Sequence, residues 1–307
     1  MKKFTAAALF LFFAFYSQAA YLMIPMDEQQ TNHLKAYGLS YWLLKEDVKI
    51  DWLLNYRGGS FMIKHNQLAE NECIIRNVSY EVISDAQATQ LLNEIASPSS
   101  NMDVMKLEKY PKIAVYSPKS KQPWDDAVTL VLTYAEIPYD VVFDDEVLED
   151  KLAEYDWLHL HHEDFTGQYG RFYRSYQHMP WYQEQKREYE ESARKHGFNK
   201  VSQLKLAVVK KIQSYVVGGG FLFAMCSATD TIDIALAAGP TDIVAAQFDG
   251  DGLDPGYQQK LDYSRTFAFE NFTLIPDPLV YEYSDIDVLP SNTGSATATA
   301  DQTIDFF

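Results

Sequence analysis

The chain has 307 residues and a net charge of −17, and 47% of it is hydrophobic, with 21 Tyr and 18 Phe. That acidity argues against nucleic acid or an anionic membrane surface as a partner, and the apolar content excludes a disordered body. The only cysteines, Cys73 and Cys226, are in an exported protein either a disulfide pair or two free thiols.

The first residues read as an export signal. Lys2 and Lys3 precede an apolar run from Ala6 to Tyr16, too short to span a bilayer. Ser17-Gln18-Ala19 offers small residues at both required positions, so cleavage is expected before Ala20. No cysteine follows the run for a lipid anchor, and no later stretch is long and apolar enough to cross a membrane. The expected location is the periplasm or the exterior. Loss of the two lysines takes the net charge from −17 to −19.

Residues 20–97 read as a small N-terminal α/β subdomain. Tyr21–Met26 is a strand, and residues 29–44 carry a helical stripe at Leu34, Tyr37, Tyr41 and Leu44. Residues 48–56 and 60–63 form a hairpin around Arg57-Gly58-Gly59, and 78–83 alternate like a strand. Ser84 caps a helix over 85–95, with Gln87 in the capping-box position. Residues 98–101 break the pattern.

A cleaner alternation fills 108–290. Short apolar strands at 112–116, 140–143 and 156–162 are separated by helices at 124–135 and 144–154. This order predicts a doubly wound, mostly parallel sheet with its carboxyl ends on one edge. An aromatic stretch at 165–180 and a charged helix at 181–195 follow. Ser202 then caps a helix buried through Leu204, Val208, Ile212 and Tyr215. It stops at Gly218-Gly219-Gly220, before a strand at 221–225, Cys226 and a helix closed by Gly239-Pro240. Residues 243–248 and 266–269 read as strands. Asp249, Asp251 and Asp254 between them read as an acidic turn, because Lys260 stands where a Ca²⁺ loop needs its Glu. Residues 291–307 are a low-complexity tail ending on Phe306-Phe307, which reads as a truncated chain.

The chemistry concentrates at two places. A strand turning sharply into a helix presents the turn residue at the carboxyl edge of the sheet, above a helix N-terminus that favours an anion. Cys226 holds that position as a candidate nucleophile, with the N–H groups of Ser227 and Ala228 as oxyanion donors. The competing reading is a buried structural cysteine. The second place is His159-Leu160-His161-His162-Glu163-Asp164, at the same expected edge. By strand alternation His159 and His161 share a face with Trp157, and His162 points the other way. His161 or His162 can serve Cys226 as a base with Glu163 as orienter. Two of the histidines with an acid can instead hold Zn²⁺, or the stretch is a satisfied polar strand end. All seven histidines precede Cys226, contrary to the usual elbow-hydrolase order. There is no phosphate loop, dinucleotide fingerprint or G-x-S-x-G elbow.

Residues 31–44 (TNHLKAYGLSYWLL), 51–61, 121–140, 156–170 and 218–230 (GGGFLFAMCSATD) together resemble an exported bacterial family commonly labelled "asparagine synthetase B". The resemblance runs from the start of the mature chain to about Leu289. The Cys226 turn is similar to the class I glutamine amidotransferase-like fold, in which such a cysteine attacks an amide carbonyl, aided by a later His and Glu. The resemblance implies a flavodoxin-like sheet, and further chain with a G-G-H-D-P-E type segment to supply the base. HHEDFTGQYG stands where that fold has a Gly-rich oxyanion loop. No S-G-G-x-D-S loop or mature N-terminal Cys is present, so ATP-dependent asparagine synthesis is not implied.

The expectation is therefore an exported, amidotransferase-like cysteine hydrolase acting on an amide or related acyl bond, using Cys226, His161, His162 and Glu163. It calls for no cofactor and no metal, and for a small-molecule or peptide-like substrate; oligomeric state is left open. The alternative is a non-catalytic periplasmic ligand- or metal-binding module on the same fold.

Overall fold

The computed structural model describes residues 21–118 and 127–286. The expected signal segment 1–19 and tail 291–307 lie outside the described residues. The chain divides into two compact units: one runs to Tyr110 and includes Thr129–Pro138, and the other takes Pro111–Val128 and Tyr139 onward. The fold is mixed α/β, with one antiparallel and one parallel sheet.

The first unit contains β1 (Tyr21–Ile24), α1 (His33–Lys45), β2 (Ile50–Leu54), β3 (Ser60–Lys64), α2 (Gln67–Ile75), β4 (Glu81–Ile83), α3 (Asp85–Ile95) and β5 (Asp103–Leu107). All strand pairs are antiparallel, in the order β4-β1-β3-β2-β5. Alternation along β1 explains why Tyr21-Leu22-Met23-Ile24 is apolar throughout. Leu22 and Ile24 pack with α1 and α2 residues such as Leu39, Leu43 and Cys73, whereas Met23 joins Leu53, Met62 and Leu91 on the other face. Ser84 and Gln87 form the expected capping box. Two elements escape the sequence pattern. Helix α2 is a nine-residue helix capped by Asn66, whose side chain accepts the Ala69 N–H. Strand β5 pairs with β2 beyond residue 97, where the sequence reading ended the subdomain. It is an edge strand with no fully buried residue, so it carries no hydrophobic run to reveal it.

The second sheet begins with β6 (Ile113–Tyr116), followed by α4 (Ala127–Ala135), which spans the division between the units. Then come β7 (Asp140–Val142), α5 (Asp144–Leu148), β8 (Trp157–Leu160), α6 (Tyr173–Tyr176), α7 (Pro180–Lys195), α8 (Val201–Val217), β9 (Phe221–Ala224), α9 (Ser227–Ala237) and α10 (Ala246–Asp249). All pairs are parallel, in the order β7-β6-β8-β9. One core joins Ala114, Tyr116, Leu158 and Leu160 of the sheet to Val208, Ile212 and Ile232 of the helices. Each such aliphatic side chain contributes about 1.5–3 kcal/mol on burial.

Neither later strand forms. Ala246–Asp249 is the short helix α10. At 267–269 the Asp233 carboxylate accepts three successive N–H groups, from Phe267 (2.6 Å), Ala268 (2.8 Å) and Phe269 (2.9 Å). A strand would have given those donors to a neighbouring strand. Ser202 is not the cap of α8; Lys200 holds that position, with Ser202 inside the first turn.

A buried ion pair ties the carboxyl edge together. Lys205 Nζ lies 2.9 Å from both Asp144 oxygens and 3.0 Å from the Tyr116 hydroxyl, which itself donates to Asp144. The rings of Phe143, Tyr189 and Tyr116 surround the ammonium at 4.3, 4.8 and 5.5 Å. Burial, then the adjacent Asp144 carboxylate, pushes the Tyr116 phenol well above its ordinary value. Lys205 thereby joins the end of β6 and the start of α5 to the second turn of α8.

Candidate active site at the end of β9

Cys226 lies between β9 and α9, as the residue immediately before the helix. Its backbone is at φ 50°, ψ −142°, a left-handed conformation that side chains rarely adopt. Holding a non-glycine residue there costs about 1–3 kcal/mol and persists only where the surroundings enforce it. Both sides of the turn are fixed. Met225 N–H donates to Leu160 O at 3.0 Å, continuing the β8–β9 ladder, and Ala228 N–H donates to His161 O at 3.2 Å. The Cys226 carbonyl accepts from Thr229 through both its N–H (3.1 Å) and its hydroxyl (2.6 Å). The thiol is free and exposed, so Cys226 is neither the buried structural cysteine nor half of a disulfide.

The two expected oxyanion donors differ. Ala228 N–H is already taken by the carbonyls of His161 and Met225, each at 3.2 Å. Ser227 N–H, at the first position of α9, has no acceptor among the described residues. A helix leaves its first N–H groups without internal partners, so Ser227 is the donor available beside the thiol.

The histidine stretch follows β8, and β8 pairs directly with β9. Strand β8 ends at Leu160, so alternation stops before His161. His159 is buried and stacks on Phe223, with ring centroids 5.5 Å apart. His161 and His162 are half-buried, and their rings lie together with centroids 4.7 Å apart. Their Nδ1 atoms are 3.2 Å apart, so in that contact one nitrogen donates and the other accepts. Both residues stand beyond the ladder, where strand alternation no longer sends their rings to opposite faces.

Glu163 is buried, and one of its oxygens accepts the backbone N–H of His161 at 2.7 Å. Its carbonyl accepts the hydroxyl of buried Thr231, from the second turn of α9, also at 2.7 Å. Ala228, His161, Glu163 and Thr231 therefore make a closed chain of hydrogen bonds between α9 and the histidine loop. Thr231 was not singled out in the sequence; a hydroxyl between apolar helix positions gives no periodic signal.

Next in the loop, the Asp164 carboxylate accepts from the N–H groups of Thr166, Gln168 and Gly170 and from the Thr166 hydroxyl, at 2.6–2.9 Å. Gly167 at φ 83° is obligatory there, since a Cβ would come within 2.6 Å of Ser202 N. Buried Arg171 then donates to the carbonyls of Ile275, Asp277, Val280 and Glu282, and to the Gln168 side chain. The HHEDFTGQYG stretch is thus a self-bonded loop beside the elbow.

The acidic turn has a different partner. One oxygen from each of Asp242, Asp249 and Asp251 lies within 4.8 Å of the others, and Lys200 Nζ sits among them. Burial lowers the lysine, but the three carboxylates outweigh it and raise its proton affinity overall. An ammonium supplies the positive charge here that a metal ion would otherwise supply. A cleft of about 240 Å³ lies alongside, lined by Thr166, Lys200, Ser202, Thr241 and Asp254 among others; Cys226 does not line it.

Comparisons with family profiles, with curated proteins and with solved structures find no match. Among the described residues no helix is long and apolar enough to cross a membrane.

Proposed function

We propose that the chain is a cysteine-dependent acyl hydrolase, of the class that opens an amide or related acyl bond. The observation that carries this reading is the free, exposed Cys226 held at φ 50° on the strand-to-helix turn. In the proposed reaction Cys226 Sγ attacks the acyl carbon while His161 or His162 takes up the thiol proton. The carbonyl oxygen gains charge and accepts the Ser227 N–H. Collapse expels the amine or alcohol, which takes the proton, and water then releases the acid from the thioester. Glu163 acts as a positioning residue, through the backbone of His161.

The strand order β7-β6-β8-β9 supports a flavodoxin-like, amidotransferase-like sheet. Numbered within the sheet it reads 2-1-3-4, the first four places of the order 2-1-3-4-5. The proposed compartment, periplasm or exterior, rests on the leader at 1–19.

The test is acyl transfer onto the thiol. Incubation with a p-nitrophenyl ester, followed by mass spectrometry of peptides, is expected to show an acyl adduct on Cys226, and release of p-nitrophenol that Cys226→Ala removes. Equal release from Cys226→Ala, with no adduct on the parent chain, overturns the reading.

A further inference from the structure

We propose that Thr231 is a positioning residue for the reaction at Cys226: its hydroxyl, given to the Glu163 carbonyl, holds the histidine loop in place against the elbow helix. The inference rests on the cysteine-hydrolase reading and assigns a residue which that reading does not use.

A threonine inside a helix ordinarily returns its hydroxyl to a carbonyl one turn back. Thr229 does so, donating to Cys226 O at 2.6 Å. Thr231 does not. It is fully buried, and it donates to Glu163 O at 2.7 Å, across 68 positions of chain. A buried hydrogen bond is costly to leave unmade, so this contact pins Glu163 to α9.

A second contact from the same face of α9 makes a clamp. Ala228, one turn before Thr231, donates its N–H to His161 O at 3.2 Å. The loop is therefore held to α9 at both 161 and 163, and Glu163 closes the bracket by accepting the His161 N–H at 2.7 Å. His161 and His162 project from within that bracket. The helix that carries the clamp also carries the chemistry, since Cys226 immediately precedes α9 and Ser227 opens it. One element thus sets the thiol, the oxyanion donor and the loop bearing the base in a common frame. Such a frame matters because a displacement of about 1 Å in a reacting group can cost about a hundredfold in rate. Of the two contacts from α9, only that of Thr231 is made by a side chain, so it can be removed without altering the backbone.

The test is acylation by saturating p-nitrophenyl acetate, read as release of p-nitrophenol and as the Cys226 adduct in peptide mass spectrometry. It uses the full chain and its variants, each checked for folding by circular dichroism. Thr231→Val is expected to lower the acylation rate constant about tenfold with KM unchanged, and Thr231→Ser to stay within about twofold of the parent chain. Thr231→Ala carries the same expectation as Thr231→Val and decides the matter should that variant not fold. In a chain already carrying His161→Ala and His162→Ala, Thr231→Val is expected to leave the residual rate unchanged, because the residue acts through those rings. A folded Thr231→Val as fast as the parent chain overturns the proposal. So does a Thr231→Ser as slow as Thr231→Val, or an equal loss with and without the two histidines. With the adduct present on the parent chain, these outcomes overturn the role of Thr231 alone. A parent chain that forms no adduct overturns the hydrolase reading and the role of Thr231 with it.

Discussion

The two cysteines occupy opposite physical settings. Cys73 lies on α2 within the first unit, 1% exposed and packed in a hydrophobic cluster. Burial, reinforced by Glu70 and Glu72, pushes its thiol up to about 12. Cys226 is exposed on a strained turn, with a free backbone donor next to it. Reactivity demands access, so the same side chain is an inert core atom in one place and a candidate nucleophile in the other. The comparison teaches that the backbone around a cysteine, more than its chemistry, decides which role it takes.

The widest gap should appear in alkylation. In native conditions at pH 8, iodoacetamide is expected to modify Cys226 about a hundredfold faster than Cys73, which reacts only after local opening. Peptide mass spectrometry over time reads both rates, and similar rates would break the comparison.

An intermediate effect concerns alkaline stability. The Cys73 thiol titrates higher folded than the ordinary thiol range near 8.5 of an unfolded chain, so the folded state retains a proton that the unfolded state loses. Its contribution is complete below about pH 8.5 and falls as pH rises toward 12, by at most about 1.4 kcal/mol per pH unit. Urea unfolding at pH 8 and pH 10 should show a shallower decline for Cys73→Ala than for the parent chain. Parallel declines would remove the titration from the account.

The smallest effect has opposite signs at the two sites. Cys226→Gly relieves a left-handed conformation and is expected to stabilise by up to about 1 kcal/mol. Cys73→Gly loses buried contacts within a helix and is expected to destabilise by at least about 1 kcal/mol. Thermal unfolding of the two variants checks the sign. Destabilisation by Cys226→Gly would mean that the turn holds no strain.

The sequence made the strand–helix order around Cys226 legible because each element there is short, apolar and closed by Gly, Pro or a capping residue. The strained φ of Cys226 was implied by the turn but had no residue of its own to announce it, since glycine does not occupy the position. Contacts between distant residues were hidden. Lys205 falls on the buried face of α8 with Leu204, Val208 and Val209, and only the fold brings Asp144 to it. Phe267-Ala268-Phe269 has strand composition, but Asp233 competes for its donors. His161 and His162 were located, while their orientation depended on β8 stopping one residue before them.

Arg171 has a consequence for the order of assembly. Its guanidinium gathers carbonyls that lie 104 to 111 positions further along the chain. Contacts of such separation carry a large loop-closure cost and form after local ones. The segment from Ile275 to Glu282 is therefore expected to settle after the loop that Asp164 shapes from its own neighbours. The aromatic insertion is the template on which the end of the described chain closes.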